Sequence, residues 1–211
     1  MNLQPEKSDK KEPILDVAEK LFSELGYEGA STRIIAKEAN VNMAMLNYYF
    51  GSKDGLYKAV LERRLGSFRQ TLVNLNEADI TSWEKLHKCI DLYIDRVMNN
   101  NCFHRLIHHQ LSLHQRSEIS EYVIENLIKN VNEVKRTIQE GIDNGTFRKV
   151  DVEFTVASIF GTKFYLINSS QIASKLIGKD LEDPKVLAEE IKPRLKVHLT
   201  DLLTAHLTKH H

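Results

Sequence analysis

The sequence predicts an all-α protein, with a three-helix N-terminal head built around a helix-turn-helix and a larger helical domain behind it. Three observations predict this. Apolar residues recur at helical spacing along the 211-residue chain with hardly a strand signal. Caps and breakers such as Gly26, Asn40 and Gly145 punctuate the pattern. Between Ser31 and Lys53, two short apolar-patterned helices are separated only by Asn40, Val41 and Asn42. Residues 1–8 are polar and read as a flexible N-terminus, residues 9–53 as the head and residues 54–211 as the second domain, with the fourth helix shared at the boundary.

In the first helix, Ile14, Leu15, Ala18, Leu21, Phe22 and Leu25 face inward, and Gly26-Tyr27 stops it. Ser31 opens the second helix by accepting from its unpaired N–H groups. Its inward stripe is Ile35, Ala36 and Ala39, and the alanines let the next helix cross closely. Asn40 tolerates the left-handed conformation needed past a helix end, Val41 drops into the core, and Asn42 caps the third helix. That helix buries Leu46 and Phe50, leaving Met43, Ala44, Met45, Asn47, Tyr48 and Tyr49 outward. A surface helix that exposes two methionines and two tyrosines needs a partner surface, and the helix-turn-helix makes double-stranded DNA the first partner to consider.

The residue types suit that partner. N–H groups at a helix start attract phosphate, and Lys53 adds a charge beside Ser52 at such a start. Tyr48 and Tyr49 offer hydroxyls to phosphate and flat faces to sugar. Asn47, with Asn42 and Arg33, has the donors and acceptors to read a base edge, Asn pairing best with adenine, while the methionines offer apolar contact to thymine methyls. The plainer alternative for Arg33 and Lys53 is solvation.

With LDVAEKLFSELGYEGAS before the pair and GSKDGLYKAVLERR after it, the stretch from about Lys11 to Arg64 resembles the DNA-binding domain of the TetR (tetracycline-repressor) family. The resemblance implies that the second helix of the pair lies in the major groove and that the protein binds an inverted-repeat operator as a homodimer. It implies that Thr32 and Arg33 approach the DNA backbone, that Lys53 meets a phosphate, and that Asn42, Met43, Ala44, Met45, Asn47, Tyr48 and Tyr49 face the DNA. The C-terminal half would dimerise through its last two long helices and enclose a pocket whose ligand alters the spacing of the two heads. Three positions depart from the usual pattern. Ile34 stands where an acid often closes a capping box, Asn40 replaces a common glycine, and Asn47 replaces a frequent tyrosine, which bears on sequence preference.

Charge excludes indiscriminate nucleic-acid binding. Lys plus Arg equals Asp plus Glu at 29 each, and Met1–Arg64 carries ten of each sign, so DNA affinity must come from a few placed contacts doubled by a dimer. Cys89 and Cys102 lack CxxC spacing and read as reduced, buried apolar residues. Neither a signal peptide nor an apolar run of membrane length is present, which points to a soluble, cytoplasmic protein with no membrane partner. The His210-His211 pair is as consistent with a purification-tag remnant as with native sequence.

Behind the head, the fourth helix runs from Asp54 toward Leu75 and breaks at Asn76–Thr81. Thr81 and Glu84 form a capping box for a helix bearing Trp83, Leu86, Ile90, Tyr93, Ile94, Val97 and Met98, which the Asn99–Asn101 run ends. A short helix from Phe103 to about His114 follows, then a long one from Glu118 to Asn144 stopped by Gly145. Asp151 starts a strongly apolar helix through Ile177, and the last helix, Pro184–Leu207, is kinked or split by Pro193.

No phosphate loop, nucleophile elbow or zinc spacing appears, and no cofactor or enzymatic activity is expected. His104 and His108, one turn apart, could hold a metal, but without further ligands ordinary hydrogen-bonded histidines are the preferred reading. Trp83, Phe103, Ile107, Phe160, Phe164 and Tyr165 are candidates for lining a ligand pocket, with core packing the alternative. The Asp151–Ile177 helix is apolar on more than one face, so Ala157 and Gly161 are assigned to a subunit interface, with Phe154, Ile159 or Phe164 facing the core. Close packing within one subunit is the alternative. The expected protein is a transcription regulator, a repressor released by a small apolar or amphipathic ligand; the alternative is a regulator without such a ligand whose second domain binds another protein.

Overall fold

The computed structural model describes residues 10–99, 103, 106, 107, 111 and 118–209. Every regular element among them is helical, and none of the described helices is long and apolar enough to cross a membrane. Packing divides the chain into two units. One takes the described residues up to Ser67 with those from Phe103 to Asn126; the other takes residues from Phe68 to Asn99 with those from Leu127 onward. Both α4 (Lys53–Glu77) and α6 (Glu118–Asp143) contribute to both units.

In the first unit, α1 (Lys11–Gly29) buries Ile14, Leu15, Ala18 and Phe22. Gly26 leaves helical geometry at φ 73°, a left-handed conformation that glycine adopts without steric cost. The turn brings the Tyr27 ring over Phe22 at 6.0 Å and edge-on to Tyr57 at 5.0 Å. Tyr27 thus covers the end of the stripe, leaving Leu21 half-buried and Leu25, expected inward, 49% exposed. Along α1, Glu12, Asp16 and Glu19 share one face and converge on Arg63 of α4 at 3.2, 2.7 and 3.0 Å, and Glu19 also takes Arg64 at 3.0 Å. Farther round α4, Lys58 pairs with Glu118 and the Tyr122 hydroxyl donates to Glu62 at 3.0 Å.

The second unit closes over a long apolar core. Leu195, Leu199, Leu203 and Leu207 form the buried stripe of α10 (Lys192–Leu207) and pack in one cluster with Leu86, Ile90 and Ile94 of α5 (Ser82–Asn99). The capping box forms as expected, Thr81 N–H to Glu84 at 2.9 Å and Glu84 N–H to the Thr81 hydroxyl at 3.2 Å. Cys89 is buried, which pushes its thiol up to about 12; Cys102 lies outside the described residues. Gly145 stops α6 at φ 77°. The chain then tucks Phe147 against Gly141, and the Trp83 ring meets Phe147 edge-on at 4.6 Å.

One helix expectation changes. The apolar helix from Asp151 is two, α7 (Val152–Asn168) and α8 (Ser170–Ile177), divided at Ser169 (φ −119°, ψ 40°). The Asn168-Ser169-Ser170 run supplies side chains that compete for backbone hydrogen bonds, and Asn168 indeed donates back to the Phe164 carbonyl at 3.0 Å. The last helix, expected to kink or split at Pro193, stays in right-handed helical geometry and widens just before it. A short turn α9 (Pro184–Val186) passes into a wide π-helical turn, Leu187–Ile191, which places Pro193 in the first turn of α10, where its missing N–H is not needed.

Gly141→Ala is expected to destabilise the protein. The new Cβ would stand 2.1 Å from the Phe147 ring, which Trp83 and its own burial keep from yielding. Helix propensity returns about 1 kcal/mol, whereas overpacking costs about 1–3 kcal/mol. The midpoint of chemical unfolding should therefore fall; a midpoint at or above wild type would mean that the ring moves aside freely.

Candidate nucleic-acid interface

The reading helix is held by its ends. α2 (Thr32–Glu38) starts on Ser31, whose hydroxyl accepts from Ile34 N–H at 3.3 Å. Ile34 has no acid to return the bond, so one half of the capping box is missing, as its sequence position implied. Past α2, Asn40 sits at φ 51°, the one non-glycine residue with positive φ among those described. Val41 N–H then reaches the Ala36 carbonyl at 2.9 Å, closing a Schellman-type turn. Asn42 Oδ1 accepts from Met45 N–H at 2.8 Å and caps α3 (Met43–Phe50).

At the far end, Gly51 turns the chain at φ 72° and the Ser52 hydroxyl accepts from Gly55 N–H at 3.0 Å. A Cβ on Gly55 would stand 2.0 Å from the Phe50 carbonyl oxygen, so no other residue fits there without moving α3 from α4. The start of α4 is also tied to the end of α1. Lys53 Nζ donates to the Glu28 carbonyl at 3.3 Å and lies 4.3 Å from the Tyr27 ring centre, and the Tyr27 hydroxyl donates to Asp54. Burial, reinforced by Asp54, holds the Tyr27 phenol above its ordinary range. Tyr27, read from the sequence only as part of the helix stop, and Tyr57, which the pattern does not single out, are structural residues of the head.

Ala44, Asn47 and Tyr48, at positions i, i+3 and i+4, share the exposed side of α3, with Tyr48 72% exposed. Arg33 is exposed and Thr32 half-buried at the start of α2. Met43, Met45 and Tyr49, expected fully outward, are half-buried, and Val41 and Phe50, expected in the core, are half-buried as well. On so short a helix, neighbours from both ends reach round the flanks, and only Leu46 is fully buried. Lys53 is not merely solvated, yet an ammonium has three donors and the Glu28 carbonyl takes one.

The pocket candidates fall in both units. Trp83 packs on Phe147, and Phe160 meets Tyr93 edge-on at 4.7 Å, both in the second unit, whereas Phe103 and Ile107 are buried in the first. Phe164 and Tyr165 are 49% and 40% exposed. Phe154, at 74% exposed, and Phe164 lie on the open side of α7 with Ala157 and Gly161, so of the three residues expected to face the core only Ile159 does. Nothing stands within 4 Å of a Cβ built on Gly161, so packing within the chain does not account for that glycine. Ile172 and Leu176 of α8 and Val197 and Leu202 of α10 are also exposed. His104 and His108 lie outside the described residues, as do His210 and His211; no metal-binding cluster occurs among the residues described.

Residues 14–60 match the family model "Bacterial regulatory proteins, tetR family", and residues 83–192 match "Tetracyclin repressor-like, C-terminal domain". The HTH-type transcriptional regulator YhgD of Bacillus subtilis, itself uncharacterized, is 24% identical over 155 residues, 70% of this chain and 76% of that one. The HTH-type transcriptional repressor NicS of Pseudomonas putida is 27% identical over 187 residues, 83% of this chain and 84% of its own. Among solved structures, the transcriptional regulator FadR from Bacillus subtilis, in complex with stearoyl-CoA, has a TM-score of 0.71 over 94% of this chain and all of that one; at 23% identity the likeness is one of fold.

Asn42 is both a cap and a candidate DNA contact, and two substitutions separate the roles. Asn42→Ala removes the bond to Met45 N–H and should cost about 1 kcal/mol of stability, whereas Asn42→Ser keeps a capping oxygen and should cost only a few tenths. If Asn42→Ser nevertheless binds DNA as poorly as Asn42→Ala, the amide contacts DNA; if it binds like wild type, the residue serves the cap.

Proposed function

The chain belongs to the tetR family of bacterial regulatory proteins and is a DNA-binding transcriptional regulator rather than an enzyme; from that premise we propose that it is a homodimeric repressor of an inverted-repeat operator, released by a small apolar or amphipathic ligand. The observation that carries the DNA reading is the exposed Ala44-Asn47-Tyr48 face on a helix capped at one end and held by Gly51 and Gly55 at the other. In this reading α3 lies in the major groove with Asn47 on a base edge and Met43, Met45, Tyr48 and Tyr49 around it. Thr32, Arg33 and Lys53 fix the register on phosphates.

The dimer reading rests on Phe154, Ala157 and Gly161, which helical spacing puts on one exposed side of α7, apolar or small residues that one chain leaves in water. The ligand reading is supported by the FadR structure, which holds stearoyl-CoA, an amphipathic molecule, and the repressor reading by NicS. The site of action is the cytoplasm, where the operator is.

Selection of bound fragments from random DNA should return an inverted repeat with half-site centres about 34 Å apart or a multiple of that. Sequences without a repeat would sink the dimeric reading. Lys53→Ala should weaken binding to all sequences and lower the salt slope by about one unit, whereas Asn47→Ala should relax one base pair per half-site by about 1–3 kcal/mol. Equal, sequence-independent losses would make Asn47 a backbone contact.

Because a side chain at Gly161 meets nothing of its own chain, Gly161→Leu should leave thermal unfolding of the subunit largely intact while shifting sedimentation toward monomer. A Gly161→Leu protein that stays dimeric at low concentration places the interface elsewhere.

A further inference from the structure

The second unit holds a largely buried lysine that no carboxylate among the described residues neutralises. Lys163 lies on the buried side of α7 with Ile159, Leu166 and Ile167 and is only 9% exposed. Among the described residues no carboxylate pairs with it and no acceptor takes a hydrogen bond from it; its neighbour is the Tyr93 ring, 5.9 Å from Nζ to the centroid. Asp91 and Asp95, on the same helix as Tyr93, are taken by Lys192 and Lys196 at 2.9 to 3.3 Å. Tyr93 is 7% exposed, and its hydroxyl also has no hydrogen-bond partner among the described residues. Phe160, one turn before Lys163, meets the Tyr93 ring edge-on. Burial brings the Lys163 ammonium down to about 8 and, with Cys89 adding to it, raises the Tyr93 phenol.

Buried polar groups are ordinarily paired, and a buried charge is costly without a counter-charge. Lys163 can only donate and the Tyr93 hydroxyl is ready to, so the missing partner is an acceptor, and the ammonium makes a negative one the best match. The Tyr93 and Phe160 rings beside the ammonium suit a carbon body. We infer that Lys163 and Tyr93 form a site for an organic anion, a carboxylate on an apolar body, and, resting on the ligand-release reading above, that this anion is the effector. The ammonium holds the carboxylate by a charge-assisted hydrogen bond, the Tyr93 hydroxyl adds a second, and Phe160 flanks the body.

Titration calorimetry on the full chain tests the site with two matched pairs of probes, decanoate against 1-decanol and 2-naphthoate against 2-naphthalenemethanol. At least one acid should bind about tenfold or more tightly than its alcohol. Lys163→Met, similar in length and without charge, should abolish that preference and leave alcohol binding equal or better. It should melt no lower than wild type, since it removes an unpaired charge. Lys163→Arg keeps the charge and should keep the preference, and Tyr93→Phe should lower acid affinity several-fold. No acid outbinding its alcohol in wild type, or a preference that survives Lys163→Met, overturns the site. Release of bound operator DNA is measured separately. An acid that binds through Lys163 but leaves the DNA complex intact upholds the site and removes its role as effector; release by the alcohols alone overturns the anionic effector while leaving ligand release standing.

Discussion

An eight-residue helix has too few turns to persist alone in water, so everything about α3 must be imposed on it from outside. One fully buried residue, Leu46, anchors it from beneath, and its two ends do the rest. At one end the left-handed Asn40 aims the chain and Asn42 satisfies an orphan N–H; at the other, Gly51 reverses it and Gly55 lets the Phe50 carbonyl come where a methyl group would collide. The start of α4 is pinned in turn by Tyr27 through Lys53 and Asp54. Loosening any of these fittings would change the angle of the reading helix before it changed any residue on its face.

Charge in the head follows from the same economy. Ten acidic residues against ten basic ones would give a polyanion no reason to approach. Three of the acids, Glu12, Asp16 and Glu19, are spent on Arg63 and Arg64, along the seam between α1 and α4. Such pairs contribute modestly to stability singly and more as a network. Their larger effect is placement: these acids are neutralised within the head, while Arg33 stays exposed and Lys53 keeps donors to spare.

What was legible in the sequence was local. Caps, left-handed turns and the wide turn before Pro193 depend on a few adjacent residues, and Asn40, Asn42, Thr81 with Glu84, and Gly145 all act as their chemistry requires. Facing was less legible. Where a helix is apolar all round, periodicity cannot choose a side, and so Phe154 and Phe164 of α7, which the pattern allows to face the core, face out. Leu25 fits the stripe of α1 but loses its place to Tyr27, which only the Gly26 turn could bring there. Lys163 carries no signal in the sequence, because a lysine in an apolar helix ordinarily extends to solvent and its burial is a property of packing.

The fittings that hold α3 and the residues displayed on it are almost disjoint sets. Leu46, Gly51 and Gly55 fix the helix, Ala44, Asn47 and Tyr48 are displayed, and only Asn42 belongs to both. Substitutions on the displayed side therefore carry little folding penalty. A duplicated gene could drift through many operator sequences without passing through an unfolded intermediate, and descendants of one such head should differ most at 44, 47 and 48 while keeping their glycines. That separation gives a lineage of regulators room to diversify its targets faster than its architecture.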